Sequence, residues 1–278
     1  MKYGIFTNPS KDVGLVATRR VADALKKAGC HIYYDAQTAS ELGIKEYSDA
    51  RHCDVLLIIG GDGTILRAAN KYIRYGIFLA GINCGHLGFM SEINIDDVTE
   101  FISRVEDGAF IIDERMVLEG EVNSSGKKIY ALNDFIIVRK NVTRMMHMEL
   151  YVNNSCVQEY SGDGIILATP TGSTAYSLSA GGPIISPNVN CILITPICPH
   201  SLYTRSIAIK YSDIVKVRPF KHEGGIVLSG DGQYDVELFE GDIVTARMST
   251  VKAKFIRLKS DAFFPQLKAK LAQWNTIE

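Results

Sequence analysis

Apolar residues follow two different rhythms along the chain, and the change of rhythm divides it. Residues 2 to 6 form a short apolar run that predicts a buried strand, and Asp12 then opens a helical pattern with Ala17, Val21, Ala24, Leu25 and Ala28 on one face. Lys26, Lys27 and Gly29 end that helix. Cys30 to Tyr34 predicts a second strand, and Val55 to Ile59 a third, whose lack of alternation marks burial on both faces. The turn Gly60-Gly61-Asp62-Gly63-Thr64 follows, then a helix to about Tyr75 and a fourth strand, Ile77 to Ile82. Asp97 to Val105 reads as a further helix, with Val98, Phe101, Ile102 and Val105 at one-face spacing and Gly108 as its stop. Strand and helix in alternation predict a parallel-sheet α/β domain over residues 1–110, with ligands at the carboxyl ends of its strands.

Beyond residue 110 the period shortens. Strand-like runs separated by turn residues cover Met116 to Val122, Ile129 to Val138, Met148 to Val152, Cys156 to Tyr160, Ile192 to Ile197, Ile214 to Val217, Ile226 to Leu228, Ile243 to Met248 and Val251 to Leu258. Asn123-Ser124-Ser125-Gly126 and Asn153-Asn154 have hairpin-turn composition. A β-rich, sandwich-like domain is expected over residues 111–259, interrupted by a short helical segment near Ser173 to Ala180. The helical end, Asp261 to Trp274 within residues 260–278, is expected to pack back on the first domain.

Composition narrows the function classes. The 278 residues carry 30 basic and 31 acidic side chains, a net charge of -1, which removes the footprint of a nucleic-acid binder. No apolar stretch approaches the roughly 18 residues of a membrane span, and the first dozen residues lack a signal-peptide core, so a cytoplasmic location is expected. The six cysteines form no C-x-x-C pair and read as reduced residues in or near the core. Of the 24 glycines, 11 gather at 60–63, 81–88 and 162–182, where backbone must approach something closely.

Gly60-Gly61-Asp62-Gly63-Thr64 leaves a buried strand and enters a helix, where free N–H groups and the helix dipole favour an anion such as phosphate. Asp62 makes sense there if it binds a phosphate-neutralising metal or accepts a proton from an attacking hydroxyl; a plain helix cap is the alternative. Neither Walker A nor G-x-G-x-x-G is present. In the second cluster, Gly81 to Phe89, His86 is a candidate contact or simply a loop residue. The run Thr169, Thr171, Ser173, Thr174, Tyr176, Ser177 offers a dense hydroxyl array suited to a sugar or base edge. Asn133-Asp134, polar inside an apolar run, points to a ligand or an exposed strand edge.

Four blocks together resemble the ATP- or polyphosphate-dependent NAD kinase family: the turn at 60–64, Asn83-Cys84-Gly85-His86-Leu87-Gly88-Phe89, the stretch from Gly162-Asp163-Gly164 through Gly181-Gly182-Pro183, and Cys198-Pro199-His200-Ser201-Leu202. Lipid kinases and phosphofructokinases carry a similar glycine turn, whereas the Thr169 to Tyr176 block is far more restrictive. The resemblance implies an α/β domain and a β-rich domain with the active site between them, and transfer of the γ-phosphoryl of ATP or polyphosphate to the adenosine ribose 2′-hydroxyl of NAD. It also implies a divalent metal, Mg2+, arriving with ATP and no protein metal site, and a homodimer or homotetramer.

Carried over by position, Asp62 resembles the acid beside that hydroxyl, with Gly60, Gly61, Gly63 and Thr64 on phosphate. Asn133 and Asp134 would hold the adenosine ribose and adenine; Thr174, Ala175, Tyr176 and Ser179 would line the adenine pocket. Asp163 would accept from the nicotinamide carboxamide, and Arg67 and Gln233 are further substrate contacts. Two positions depart from the family pattern. Asp134 stands where Glu is usual, and Ser161 where a basic residue is common, so Arg139, Arg144 or a neighbouring subunit would have to neutralise the diphosphate. Another kinase with the same turn and a non-catalytic dinucleotide sensor are the competing functions; the hydroxyl-rich block argues against a lipid substrate and Asp62 against a pure binder.

Overall fold

The unbroken apolar run Val55–Ile59 is a strand with all five side chains fully buried. In the computed structural model, which describes residues 1–85, 88–140, 145–201, 204–220, 225–259 and 263–274, it lies in the middle of an eight-stranded sheet. Tyr3–Thr7 and Phe78–Asn83 flank it, both parallel. Beyond Tyr3–Thr7 the sheet continues to Ile32–Tyr34 and Ser48–Asp49; beyond Phe78–Asn83 it continues to Ala253–Arg257 and Ile111–Arg115, with Ser91–Asn94 also pairing to Phe78–Asn83. Helices Val16–Lys27, Asp62–Tyr72 and Val98–Glu106 supply apolar stripes: Val98, Phe101, Ile102 and Val105 are all buried, as the spacing requires.

The chain divides into two compact units, Met1–Glu114 with Ala253–Glu278, and Arg115–Lys252. The strand Ala253–Arg257 differs from the sequence expectation, which gave it to the β-rich domain. It runs parallel to Phe78–Asn83, with Lys254 opposite Phe78 and Phe255 opposite Leu79. Phe255 and Ile256 are adjacent and both buried, so both faces of the strand are covered, as a parallel sheet between helices requires. The terminal helix, Phe263–Trp274, belongs to the same unit, and Gln266 Nε2 donates to Glu92 Oε1 at 3.1 Å. Its expected start at Asp261 lies outside the described residues.

The second unit contains two six-stranded sheets whose pairings are antiparallel. One runs, in spatial order, Ile207–Lys210, Cys191–Ile197, Gly164–Ala168, Asp134–Arg139, Ile226–Gly230 and Tyr234–Leu238; the other runs Ser155–Gly162, Met146–Val152, Val215–Phe220, Val244–Met248, Leu118–Val122 and Lys128–Ala131. Side chains of both sheets, among them Phe135, Ile165 and Leu228 from one and Leu118, Met148 and Val217 from the other, share one core, which makes the unit a sandwich. The single strand expected over Ile129 to Val138 is two strands, one in each sheet, and the break falls at Leu132-Asn133. Both expected hairpins form, and Asn153 takes the left-handed conformation its turn demands, φ 56°. Among the described residues no helix is long and apolar enough to cross a membrane.

Candidate functional site

Strand Val55–Ile59 ends at Gly60, whose φ of 150° and whose contact with Thr64, 2.4 Å from where a Cβ would stand, leave room for no other residue. The chain then turns into helix Asp62–Tyr72 with Gly61 as its N-cap. Thr64 and Ile65 donate their amides to the Gly61 carbonyl, so the Asp62 and Gly63 amides stand at the open N-terminus without an intrahelical acceptor. Thr64 is buried, its Oγ1 accepting from Asn8 Nδ2 at 3.1 Å, which makes it a prop for the turn more than an open phosphate contact.

Asp62 joins the first two glycine clusters. Its Oδ2 accepts from the Phe89 amide at 2.8 Å, and its Oδ1 from the Met90 and Ser91 amides at 3.1 and 3.3 Å. Gly88 permits this approach, because a Cβ there would stand 1.9 Å from Asp62 Oδ1. Asp62 is therefore not a cap on its own helix: its charge is held half-exposed by three successive amides of another loop. His86 lies outside the described residues. Arg67 is half-buried, donates to Gln37 Oε1 at 3.3 Å and lies 5.6 Å above the Phe6 ring.

In the second unit Asn133 and Asp134 are both buried, which removes the exposed-edge reading. They follow the crossing between sheets, and the crossing is pinned by Asp231. Its carboxylate accepts from the Leu132 and Asn133 amides, each at 2.8 Å, and from the Asp134 amide at 3.1 Å. Asp231 achieves this from a turn in which it and Gly232 both have positive φ, 51° and 64°. Asn133 Oδ1 is buried with no hydrogen-bond partner. Burial, followed by the Asp231 charge, pushes the Asp134 carboxyl up to about 7, so near neutrality it holds a proton much of the time. Gln233 continues the same turn, its Nε2 donating to the Asp231 carbonyl at 3.2 Å.

The hydroxyl-rich run is only partly available to a ligand. Thr169, Ser173 and Ser177 are fully buried, and their hydroxyls bond to the Leu132 carbonyl, the Pro170 and Ile185 carbonyls, and Thr195 respectively. Thr174 donates to the Thr171 carbonyl at 3.2 Å. These bonds shape the turns Thr171–Thr174 and Tyr176–Ser179, and leave Thr174 and Ala175 half-buried and Ser179 and Tyr176 exposed, the last at 42 %. Asp163 forms an ion pair with Arg139 Nη2 at 2.6 Å, so this arginine is engaged by a carboxylate. Ser161 Oγ lies 2.7 Å from His147 Nδ1 on the neighbouring strand, which sets an imidazole beside the position where a basic residue was expected. Arg144 lies outside the described residues.

Asp231 was missed as a pinning residue, although Gly230-Asp231-Gly232 repeats the Gly-Asp-Gly pattern of residues 61–63 and 162–164. Cys156 and Cys198 are exposed, against the reading of all six as core or near-core, because Cys156 faces out of a strand and Cys198 sits in a turn at φ 44°. Among the described residues no three His, Cys, Asp or Glu side chains converge as metal ligands, and the Asp62 carboxylate is occupied by amides.

Comparison with known proteins gives a consistent picture. Residues 3–110 match the ATP-NAD kinase N-terminal domain, and residues 132–258 the ATP-NAD kinase C-terminal domain. The chain is 38% identical over 280 residues to an NAD kinase of Thermoanaerobacter sp. (strain X514), covering 98% of this chain and 99% of that protein. It is 36% identical over 279 residues to an NAD kinase of Symbiobacterium thermophilum, with coverage of 98% and 99%. Among solved structures, an NAD kinase from Archaeoglobus fulgidus in complex with ATP is similar with a TM-score of 0.79 at 26% identity, covering 98% and 99% of the two chains. Yeast NADH kinase complexed with NADH shares the fold, with a TM-score of 0.88 at 24% identity over 100% of this chain and 89% of that one.

Proposed function

The chain belongs to the ATP-NAD kinase family and is an enzyme that phosphorylates NAD; from that premise we propose which of its groups do the work. The acceptor is the adenosine ribose 2′-hydroxyl, the product NADP, and the donor ATP or polyphosphate. Asp62 receives the hydroxyl proton or orients that hydroxyl for in-line attack on the γ-phosphoryl, while the Asp62 and Gly63 amides at the helix N-terminus bear on phosphate oxygens. The three amides on Asp62 fix its carboxylate in place, so no rearrangement is needed when substrate arrives.

Asn133 and Asp134 hold the adenosine end, Thr174, Ala175, Tyr176 and Ser179 line the adenine pocket, and Asp163, Arg67 and Gln233 are outer contacts. The observation that carries the substrate side is the orphaned Asn133 Oδ1. A buried acceptor left unpaired is costly, and ribose or adenine donors supply its missing partner. A divalent cation, Mg2+, comes with the donor's phosphate chain, where it neutralises charge. The protein works in the cytoplasm as a homodimer or homotetramer.

The 2′-deoxy analogue of NAD tests the acceptor assignment. It should bind with near-parent affinity and yield no phosphorylated product under ATP and magnesium. A phosphorylated product from that analogue refutes the assignment of the hydroxyl.

A further inference from the structure

Arg257 is the last residue of strand Ala253–Arg257 and is only 6 % exposed. Its Nε lies 3.2 Å from Asp113 Oδ2, and its Nη1 lies 3.1 Å from Glu92 Oε1 and donates to the Met90 carbonyl at 3.0 Å. Gln266 donates to the same Glu92 oxygen, and the guanidinium lies 5.2 Å above the Phe255 ring. Burying this charge carries a desolvation cost that an apolar side chain of similar size would avoid, so a purely structural role accounts poorly for the residue. What no apolar side chain could do is bond the Met90 carbonyl.

That carbonyl and the Ser91 N–H are the two ends of one planar peptide. The guanidinium sits at the oxygen end; at the other, the Ser91 amide donates to Asp62 Oδ1 at 3.3 Å, beside the Met90 amide at 3.1 Å. A cation on the carbonyl and an anion on the N–H polarise the peptide in the same sense, and each bond strengthens the other. We propose that Arg257 is a positioning residue for Asp62, holding its carboxylate through the Met90–Ser91 peptide. The proposal rests on the catalytic reading of Asp62.

Arg257→Met alone would take away the buried cation that faces the Glu92 and Asp113 carboxylates, so the informative variant is the neutral triple Arg257→Met, Glu92→Gln, Asp113→Asn, with Arg257→Lys beside it. Circular dichroism establishes folding, and kcat and KM are measured for NAD and ATP in the parent background and with Asp62→Asn. The triple should lose turnover by about 10²-fold, the size of a roughly 1 Å misplacement, with both KM values within about threefold of the parent. With Asp62→Asn already present, the same triple should cost less than about threefold, because its effect passes through a carboxylate no longer there.

A triple that turns over within about threefold of the parent, or whose full factor persists beside Asp62→Asn, overturns the proposal while leaving Asp62 catalytic. Should the triple not fold, the double Arg257→Met, Glu92→Gln, which also removes the bond to the Met90 carbonyl, is carried through the same cycle, and either of those two results for it overturns the proposal in the same way. If Asp62→Asn alone turns over within about tenfold of the parent, the reading of Asp62 fails and the proposal falls with it.

Discussion

Replacing Asp62 by Asn separates chemistry from scaffolding, and the three amides on its carboxylate set both magnitudes. The parent side chain offers two acceptor oxygens, Oδ2 to Phe89 and Oδ1 to Met90 and Ser91. Asn offers one. If its oxygen faces Met90 and Ser91, its NH2 meets the Phe89 N–H donor to donor, so one charge-assisted bond is lost and one amide is left bare. That costs about 1.5–3 kcal/mol of stability, or roughly 3–12 °C of melting temperature at about 2–4 °C per kcal/mol for a chain of this size. Loss of a general base costs about 10² to 10⁴ in rate. Asp62→Asn should therefore melt several degrees lower and turn over at least about 100-fold more slowly at saturating ATP, with NAD affinity by calorimetry changed by less than about tenfold. A variant with the lower melting point whose kcat falls less than about tenfold would show that Asp62 only pins the 88–91 loop, and the catalytic role would be refuted.

Three further outcomes follow from the same geometry. Gly88→Ala would put a Cβ 1.9 Å from Asp62 Oδ1 and should reduce turnover about as far as Asp62→Asn despite keeping the carboxylate; near-parent kcat would contradict the close approach. Asp134 has its carboxyl raised in the folded chain from 3.8 to about 7, so from about pH 4 to 7 the folded state keeps a proton that the unfolded state releases, and stability falls as pH rises through that window. Asp134→Asn removes this term, and its gain over the ligand-free parent should be small near pH 4 and grow to at most roughly 4 kcal/mol by pH 8; a pH-independent difference in thermal melts would count against it. Sedimentation at micromolar concentration should show a dimer or tetramer, and a single species of one chain's mass would exclude the homo-oligomer.

Much of the first unit was legible because burial leaves an unmistakable trace there. Val55 to Ile59 could only be a strand covered on both faces, and the glycine turn after it could only stop that strand and open a helix. Elements with little burial left less trace. Ile111–Arg115, Ile207–Lys210 and helix Ala36–Glu41 carry mixed, partly exposed side chains and show no decisive period. The break in Ile129 to Val138 was marked by Asn133-Asp134, but polarity alone does not distinguish a ligand contact from a change of sheet. Hydroxyl content is incomplete for a related reason: composition counts hydroxyls without showing that those of Ser173 and Ser177 are bonded inside the fold. Arg257 carried no local signal, since its partners Met90, Glu92 and Asp113 lie more than a hundred residues earlier in the chain.

The route of the chain through the first sheet bears on how the protein is made. Translation delivers residues 1–114 first, then the whole of Arg115–Lys252, and only afterwards the strand Ala253–Arg257 that pairs with Phe78–Asn83. Until then the growing polypeptide has Phe78–Asn83 with one ladder partner missing and Asp62 without the guanidinium that steadies its loop. The second unit has every strand it needs once residue 248 has emerged from the ribosome, so it can reach its final form earlier. A fragment stopped at residue 110 would leave the Phe78-Leu79 end of that strand without the partner that Lys254 and Phe255 supply, and an open strand edge is a known route to aggregation. The half of the molecule that begins first is thus the half completed last.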